Sequence, residues 1–227
     1  MATPLISVMI PAYRDATKLS RTIERMRWMA LNPDLLEFII HVADDDPCRG
    51  EFMKVKAGLV WGVDRGYLGV GTYFNRMFEA SHGDLVWAAT DDIEVLTPGW
   101  DEEYVRALEG IVYGVAGCHN EEGPNNPMSY SWAFPMVRRR LCEKMGGFCS
   151  GHIAYDRVYD AYAGASGLGV IAPVQVKTEW TMPEFGSQRD LWYSFTRRDW
   201  KQPGSNWKRL IEQWQAEGKA IWEKVKA

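Results

Sequence analysis

Short apolar runs that alternate with segments of helical period constrain this chain more than any other feature. LISVMIPAY is a short, nearly continuous apolar run stopped by Pro11, the pattern of a strand buried on both faces. ATKLSRTIERMRWMA follows, with Leu19, Ile23, Met26 and Ala30 at helical spacing. LLEFIIHVA reads as a second buried strand and GLVWGVD as a third. GVGTYFNRMFEASHG then reads as a helix carrying Phe74, Met77 and Phe78, with Gly83 as its C-terminal stop. LVWAAT is the next strand. Strands and helices in this order require right-handed crossovers and a mostly parallel sheet with helices on both faces.

Sheets of this kind bind ligands beyond the carboxyl ends of their strands. Three strands here finish in polar groups: Tyr13-Arg14-Asp15, Asp44-Asp45-Asp46 and Asp91-Asp92. The stretch GDLVWAATDDIEV poses the sharpest question, since its strand delivers two adjacent carboxylates. Successive side chains point to opposite faces, so one solvated face cannot account for both. Adjacent like charges also repel unless a cation lies beside them. Either the strand simply ends in solvent or a cation is expected. No G-x-G-x-x-G follows the first strand, and no G-x-x-x-x-G-K-[ST] occurs. A phosphate bound here would therefore need its charge met by a metal on the acids.

Composition excludes several classes. An apolar fraction of 46% and a charged fraction of 25% over 227 residues are those of a soluble globular protein. No window of about 18 apolar residues exists, so no membrane span is expected. The start, MATPLISVMIPAYRD, lacks a basic region and enters a strand pattern directly, so no signal peptide is expected. Cys48, Cys118, Cys142 and Cys149 show no C-x-x-C spacing. That spacing argues against a zinc site or redox pair and fits a reducing cytoplasm.

The net charge of -4 is uneven. Residues 188–227 hold nine Lys/Arg against five Asp/Glu, and five of the eleven tryptophans. This marks a C-terminal arm, 188–227, set apart from a domain over 1–187. Within it Ser205 caps a helix whose apolar residues are Trp207, Leu210, Ile211, Trp214, Ile221, Trp222 and Val225. Such a stripe must be covered. The protein's own surface is the default, a homodimer partner the next choice, and an anionic membrane or acceptor the third.

ISVMIPAYRD, FIIHVADDD, RGYLGVGTYFNRMFEASHGDLVWAATDDIEVLTPGW and AFPMVRRRLCEKMGGF, in that order, resemble the successive motifs of family 2 glycosyltransferases of the GT-A fold. The third segment is the most specific, with its Gly-rich turn, Asn, helix, Gly-acid pair, strand, acidic motif and Pro-Gly-Trp. The likeness spans roughly residues 5 to 180. It implies a nucleotide-sugar half over 1–110 and an acceptor half over 111–187.

By this resemblance Pro11, Ala12 and Tyr13, with Asp44 or Asp45, hold the nucleotide base and ribose. Arg65, Gly66 and Gly69 lie near the nucleotide, and Asn75 opens the following helix. The family's D-x-D falls on Thr90, Asp91 and Asp92. Asp92 takes the metal position and Asp91 faces the ribose or sugar. Thr90 replaces the first acid, and the spacing from Asp92 to Pro98 is one residue long, so Glu94 is an alternative ligand. A diphosphate leaving group develops negative charge that Mn2+ or Mg2+ on one or two carboxylates would meet.

An inverting transfer also needs a base for the acceptor hydroxyl. After Gly146-Gly147-Phe148, Tyr155-Asp156 occupies the family's Glu-Asp position, so the resemblance makes Asp156 the candidate base and Asp160 the alternate. His152 and Glu179 are further candidates for the metal. Arg138-Arg139-Arg140 looks like a nucleic-acid or phosphate patch but, on a helix, reads better as a solvated face.

The expected function is a metal-dependent, inverting glycosyltransferase using a nucleotide-diphosphate sugar. Its acceptor would be a glycan, lipid-linked sugar, protein or modified nucleic acid. The alternatives are a non-catalytic sugar-nucleotide or glycan-binding module of the same fold, or a sugar nucleotidyltransferase. The last would need a Gly-rich basic loop where the chain has PAYRDATKLS.

Overall fold

A computed structural model describes residues 5–44, 46–62, 70–121, 132–149, 155–178 and 207–227. Strands β1 (Ile6–Ala12), β2 (Leu36–Ala43), β3 (Gly58–Gly62) and β4 (Leu85–Ala88) alternate with helices α1 (Ala16–Met29), α2 (Arg49–Phe52) and α3 (Val70–Ala80). Then come β5 (Ile93–Val95), α4 (Trp100–Ala107), β6 (Val115–Glu121), β7 (Met136–Arg138), α5 (Arg139–Met145), α6 (Tyr155–Ser166), β8 (Gly169–Thr178) and α7 (Trp207–Lys226). The described strands form one sheet in the order β3-β2-β1-β4-β7-β6-β8-β5.

The first four strands of that order are parallel, as the alternating pattern requires. Beyond β4 the sheet is mixed, since β7 runs antiparallel to both β4 and β6, while β8 is parallel to β6. Sheet curl brings β5, at the far edge, back against α1, where the Arg25 guanidinium donates to the Val95 carbonyl at 3.3 Å.

Period-two alternation sorts each strand between two cores. Val8, Ile10, Phe38, Ile40, Leu85 and Trp87 face a layer with Leu19, Ile23 and Met26 of α1 and Trp100 and Tyr104 of α4. Met9, Ile39, Val86 and Ala88 face the other side, with Phe74 and Met77 of α3, Leu141 of α5 and Tyr155, Tyr159 and Tyr162 of α6. Both faces are covered, so the strands read as continuous apolar runs.

Two expectations change. Gly83 lies beyond the end of α3 and is not in the left-handed region. A Cβ there would come within 2.5 Å of Ser7 Oγ, so the position needs glycine for close approach to β1. Arg138 and Arg139 are also no solvated face. Arg138 donates to the Leu108 carbonyl, while Arg139 donates to the Gly83 carbonyl and Ser81 Oγ and lies over the Phe78 ring. Only Arg140 of the three is exposed. These guanidiniums tie loops together at the amino edge of β4.

The C-terminal stripe is covered by the protein itself. Ile221 is buried, and Trp214, Trp222 and Val225 pack onto the core shared by α3, α5 and α6. Gly218 meets α6 so closely that a Cβ would stand 2.6 Å from the Tyr162 backbone nitrogen. Lys224 Nζ donates to the Met145 carbonyl at the end of α5. Ile211 alone of the described stripe side chains stays exposed. The side chains of Trp207 and Leu210, and Ser205 with the boundary at 187/188, lie outside the described residues.

Candidate active site

The tips of β2, β1 and β4 lie side by side, because β1 pairs in parallel with both neighbours and Ala12 stands opposite Val42. Pro11, Ala12, Tyr13, Asp44, Asp91 and Asp92 therefore share one carboxyl edge. Tyr13 is half-buried and Asp44 exposed. Asp45, Arg65, Gly66, Gly69, His152 and Glu179 lie outside the described residues.

The third acid after β2 does what neither of its neighbours was expected to do. Asp46 is buried, accepts the Arg14 amide at 2.9 Å through one oxygen, and accepts the Cys48 amide at 2.7 Å through the other. It joins the loop after β1 to the turn after β2. Its signal in the sequence, one more acid in a run of three, gave no means of separating it from Asp44 and Asp45.

The adjacent acids of β4 divide their environments. Asp91 is 3% exposed, and its carbonyl accepts from Thr22 Oγ1 of α1 at 2.8 Å. Asp92 is half-buried in the turn that follows. Thr90 Oγ1 is buried without a hydrogen-bond partner among the described residues. Glu94 lies 3.8 Å from Arg25 of α1, with 45% of its side chain exposed.

No group of three or more His, Cys, Asp and Glu among the described residues forms a metal cage. What the tip of β4 offers is hard oxygen, the Asp92 carboxylate with an orphaned Thr90 hydroxyl two residues before it. That donor set fits a Mg2+- or Mn2+-class ion completed by oxygens from a ligand rather than by the protein.

The side of this edge next to the loop after α5 is built on α3. This helix connects parallel strands β3 and β4, so its first turns lie at the carboxyl edge. Asn75 sits mid-helix rather than opening it, and its side-chain amide both donates to the Cys149 carbonyl (2.7 Å) and accepts the Cys149 amide (3.0 Å). Cys149 Sγ adds a contact to the Gly71 carbonyl at 3.2 Å. Phe148 and Tyr155 pack around Phe74 with ring centroids 5.4 and 4.8 Å away. The loop after α5 and the first turn of α6 are thereby held at the edge that carries the acids.

Asp156 lies in that first turn of α6. Burial pushes its carboxyl up to about 6, against the Arg157 amide and guanidinium (Nε 3.9 Å from Oδ2), which hold it down; Asp160 pushes it up. Asp160, one turn on, borders a groove between α6 and α7 whose other walls include Arg157, Trp214, Gln215 and Lys219.

No protein-family model matches the chain, and a search of curated protein sequences finds no match. Solved structures do resemble it. The mannosyltransferase PcManGT from Pyrobaculum calidifontis, in complex with GDP-Man and Mn2+, superposes with a TM-score of 0.59 at 16% identity, covering 100% of this chain and 74% of that one. Glucosyl-3-phosphoglycerate synthase from Mycobacterium tuberculosis, in complex with Mn2+, UDP and phosphoglyceric acid, gives 0.59 at 15% identity, covering 86% and 75%. S. aureus TarS 1-349 in complex with UDP-GlcNAc gives 0.59 at 10%, covering 97% and 71%. No helix among the described residues is long and apolar enough to cross a membrane. Likeness at this identity speaks for architecture, and with the parallel β3-β2-β1-β4 half, its acid-tipped carboxyl edge and the mixed second half it shows that this chain has the GT-A glycosyltransferase fold.

Proposed function

We propose that the protein is a glycosyltransferase that moves a sugar from a nucleotide-diphosphate sugar to an acceptor hydroxyl with inversion. The observation that carries this reading is Asp156. Its carboxyl is lifted by burial to about 6, and it lies in the first turn of α6 next to Tyr155, which packs on Phe74 of α3. A carboxylate with that value is ionised at neutral pH yet basic enough to take a proton from a hydroxyl as the bond to the sugar forms.

Pro11, Ala12, Tyr13 and Asp44 would seat the nucleoside, and Asp91 would face the ribose or sugar. Asp92, with Thr90 beside it, would hold a divalent ion. When bound, such an ion supplies positive charge to the departing diphosphate. The Thr22 hydroxyl, donating to the Asp91 carbonyl, anchors the turn that carries Asp92 to α1.

Screening nucleotide sugars for slow hydrolysis with Mn2+ tests the reading. Release of nucleoside diphosphate that disappears in Asp92→Asn and survives in Asp156→Asn is the expected pattern. Asp156→Asn should then fail in transfer to an acceptor. A protein that neither binds nor hydrolyses any nucleotide sugar would instead be a different use of this fold.

A further inference from the structure

Arg14 stands at the carboxyl edge and has no role in the reading above. Arg14, the second residue past β1, is exposed and has φ 61°, the one non-glycine with positive φ among the described residues. A side chain in the left-handed region crowds its own backbone, and arginine lacks the short polar group with which Asn or Asp offset this. The geometry is therefore imposed from outside.

Three contacts impose it. The Asp15 amide donates to the Tyr13 carbonyl at 2.9 Å, closing a tight turn around Arg14. The Arg14 amide donates to Asp46, whose other oxygen is taken by the Cys48 amide. Asp15 then caps α1 by accepting the Lys18 amide at 2.8 Å. Backbone held in a costly conformation by over-determined surroundings is a mark of functional loops. If the kink alone mattered, glycine would adopt it without strain. What arginine adds is a guanidinium, here 4.8 Å over the Tyr13 ring at the open edge.

That edge is acidic, with Asp44, Asp91 and Asp92 on its strand tips, and the chain has neither G-x-G-x-x-G after β1 nor G-x-x-x-x-G-K-[ST]. A diphosphate entering there meets repulsion that positive charge must offset, and a guanidinium on the protein would add to what a divalent ion on Asp92 supplies. A guanidinium offers phosphate oxygens paired, charge-assisted hydrogen bonds. We infer that Arg14 is a donor-binding residue that contacts the phosphates of a nucleoside diphosphate, and that Asp46 positions it. The inference rests on the proposed function.

Isothermal titration of UDP, GDP, CDP and ADP into the full chain, in Mn2+ and in EDTA, tests it with Arg14→Gly, Asp46→Asn and the double variant. Arg14→Gly should melt no lower than the parent, because glycine accepts the kink. Its affinity for the preferred nucleotide should fall about 10- to 100-fold, the range of a lost charged hydrogen bond. Asp46→Asn should also weaken binding, while the double variant should bind no more weakly than Arg14→Gly, since Asp46 acts through Arg14. Parental affinity in Arg14→Gly under both conditions overturns the inference, and additive losses in the double variant overturn the role of Asp46. Should Asp46→Asn unfold, the Arg14→Gly arm decides. A parent protein that binds none of the four nucleotides removes the proposed function and this inference with it, an outcome distinct from intact binding that ignores Arg14.

Discussion

Asn75 and Cys149 are joined by a reciprocal pair of hydrogen bonds, the side-chain amide of one serving both backbone groups of the other. The pair replaces a rung of regular secondary structure between α3 and the loop that leads into α6. Asn75→Ala would leave a buried amide and carbonyl unserved, at about 1–3 kcal/mol. Asn75→Asp, which keeps the acceptor but not the donor, should lose part of this. A thermal melt ranks the variants, and transfer activity should fall with the same ranking, because the first turn of α6 loses its tether.

Asp156→Asn should lower transfer by about 10²- to 10⁴-fold while nucleotide binding persists. In the parent, the rate should rise with pH through about 6 and level off above it, since the base works ionised. Stability moves the other way. A folded-state value above the unfolded one contributes stability at low pH that is lost as pH rises through about 6. Asp156→Asn should therefore melt higher than the parent at pH 7.5, by an amount on the order of 2 kcal/mol, and show little difference at pH 4. Equal melting of the two proteins across that range would deny that burial strains this carboxyl.

Glu37 makes the opposite case. Burial pushes its carboxyl up, but donation from Ser7 Oγ and from the His82 and Gly83 amides outweighs it and lowers the value below the ordinary 4.5. A depressed carboxyl contributes stability above its unfolded value and loses it as pH falls through the folded one. Glu37→Gln should destabilise the protein at pH 7, and the gap between variant and parent should close on acidification below 4.5. Paired melts at pH 7 and pH 3.5 check the sign.

The C-terminal helix should be needed for folding rather than chemistry. Trp214, Ile221, Trp222 and Val225 pack on the core of α3, α5 and α6, and each large side chain buried is worth roughly 1.5–3 kcal/mol. Gly218→Val should separate α7 from α6, because its Cβ would overlap the Ala161 and Tyr162 backbone at 2.6–2.7 Å. Removal of residues 204–227 should cause aggregation or a large fall in melting temperature. A truncated protein that stays soluble and melts normally would return the helix to an anchoring role.

Much of the parallel half was written in one-dimensional pattern. Buried runs at 6–12, 36–43 and 85–88, separated by helix-period segments, allow few arrangements, because apolar faces must be covered and crossovers have one hand. The acid-tipped edge follows from that order. The mixed half was less legible, since β5 and β7 are three residues each and carry too little period to read. Local pattern also could not distinguish Asp46 from Asp44, because one of the two amides that serve the buried carboxylate is supplied from 32 residues away. In the same way the raised value at Asp156, the structural use of Arg138 and Arg139, and the left-handed Arg14 arise from contacts between segments distant in the chain. The sequence determined which elements form and which edge carries the acids, through periods of 2 and 3.6 that act locally. Tertiary structure alone decided which of those acids are buried, bonded or free to act, because desolvation and hydrogen bonding depend on what the rest of the chain brings alongside.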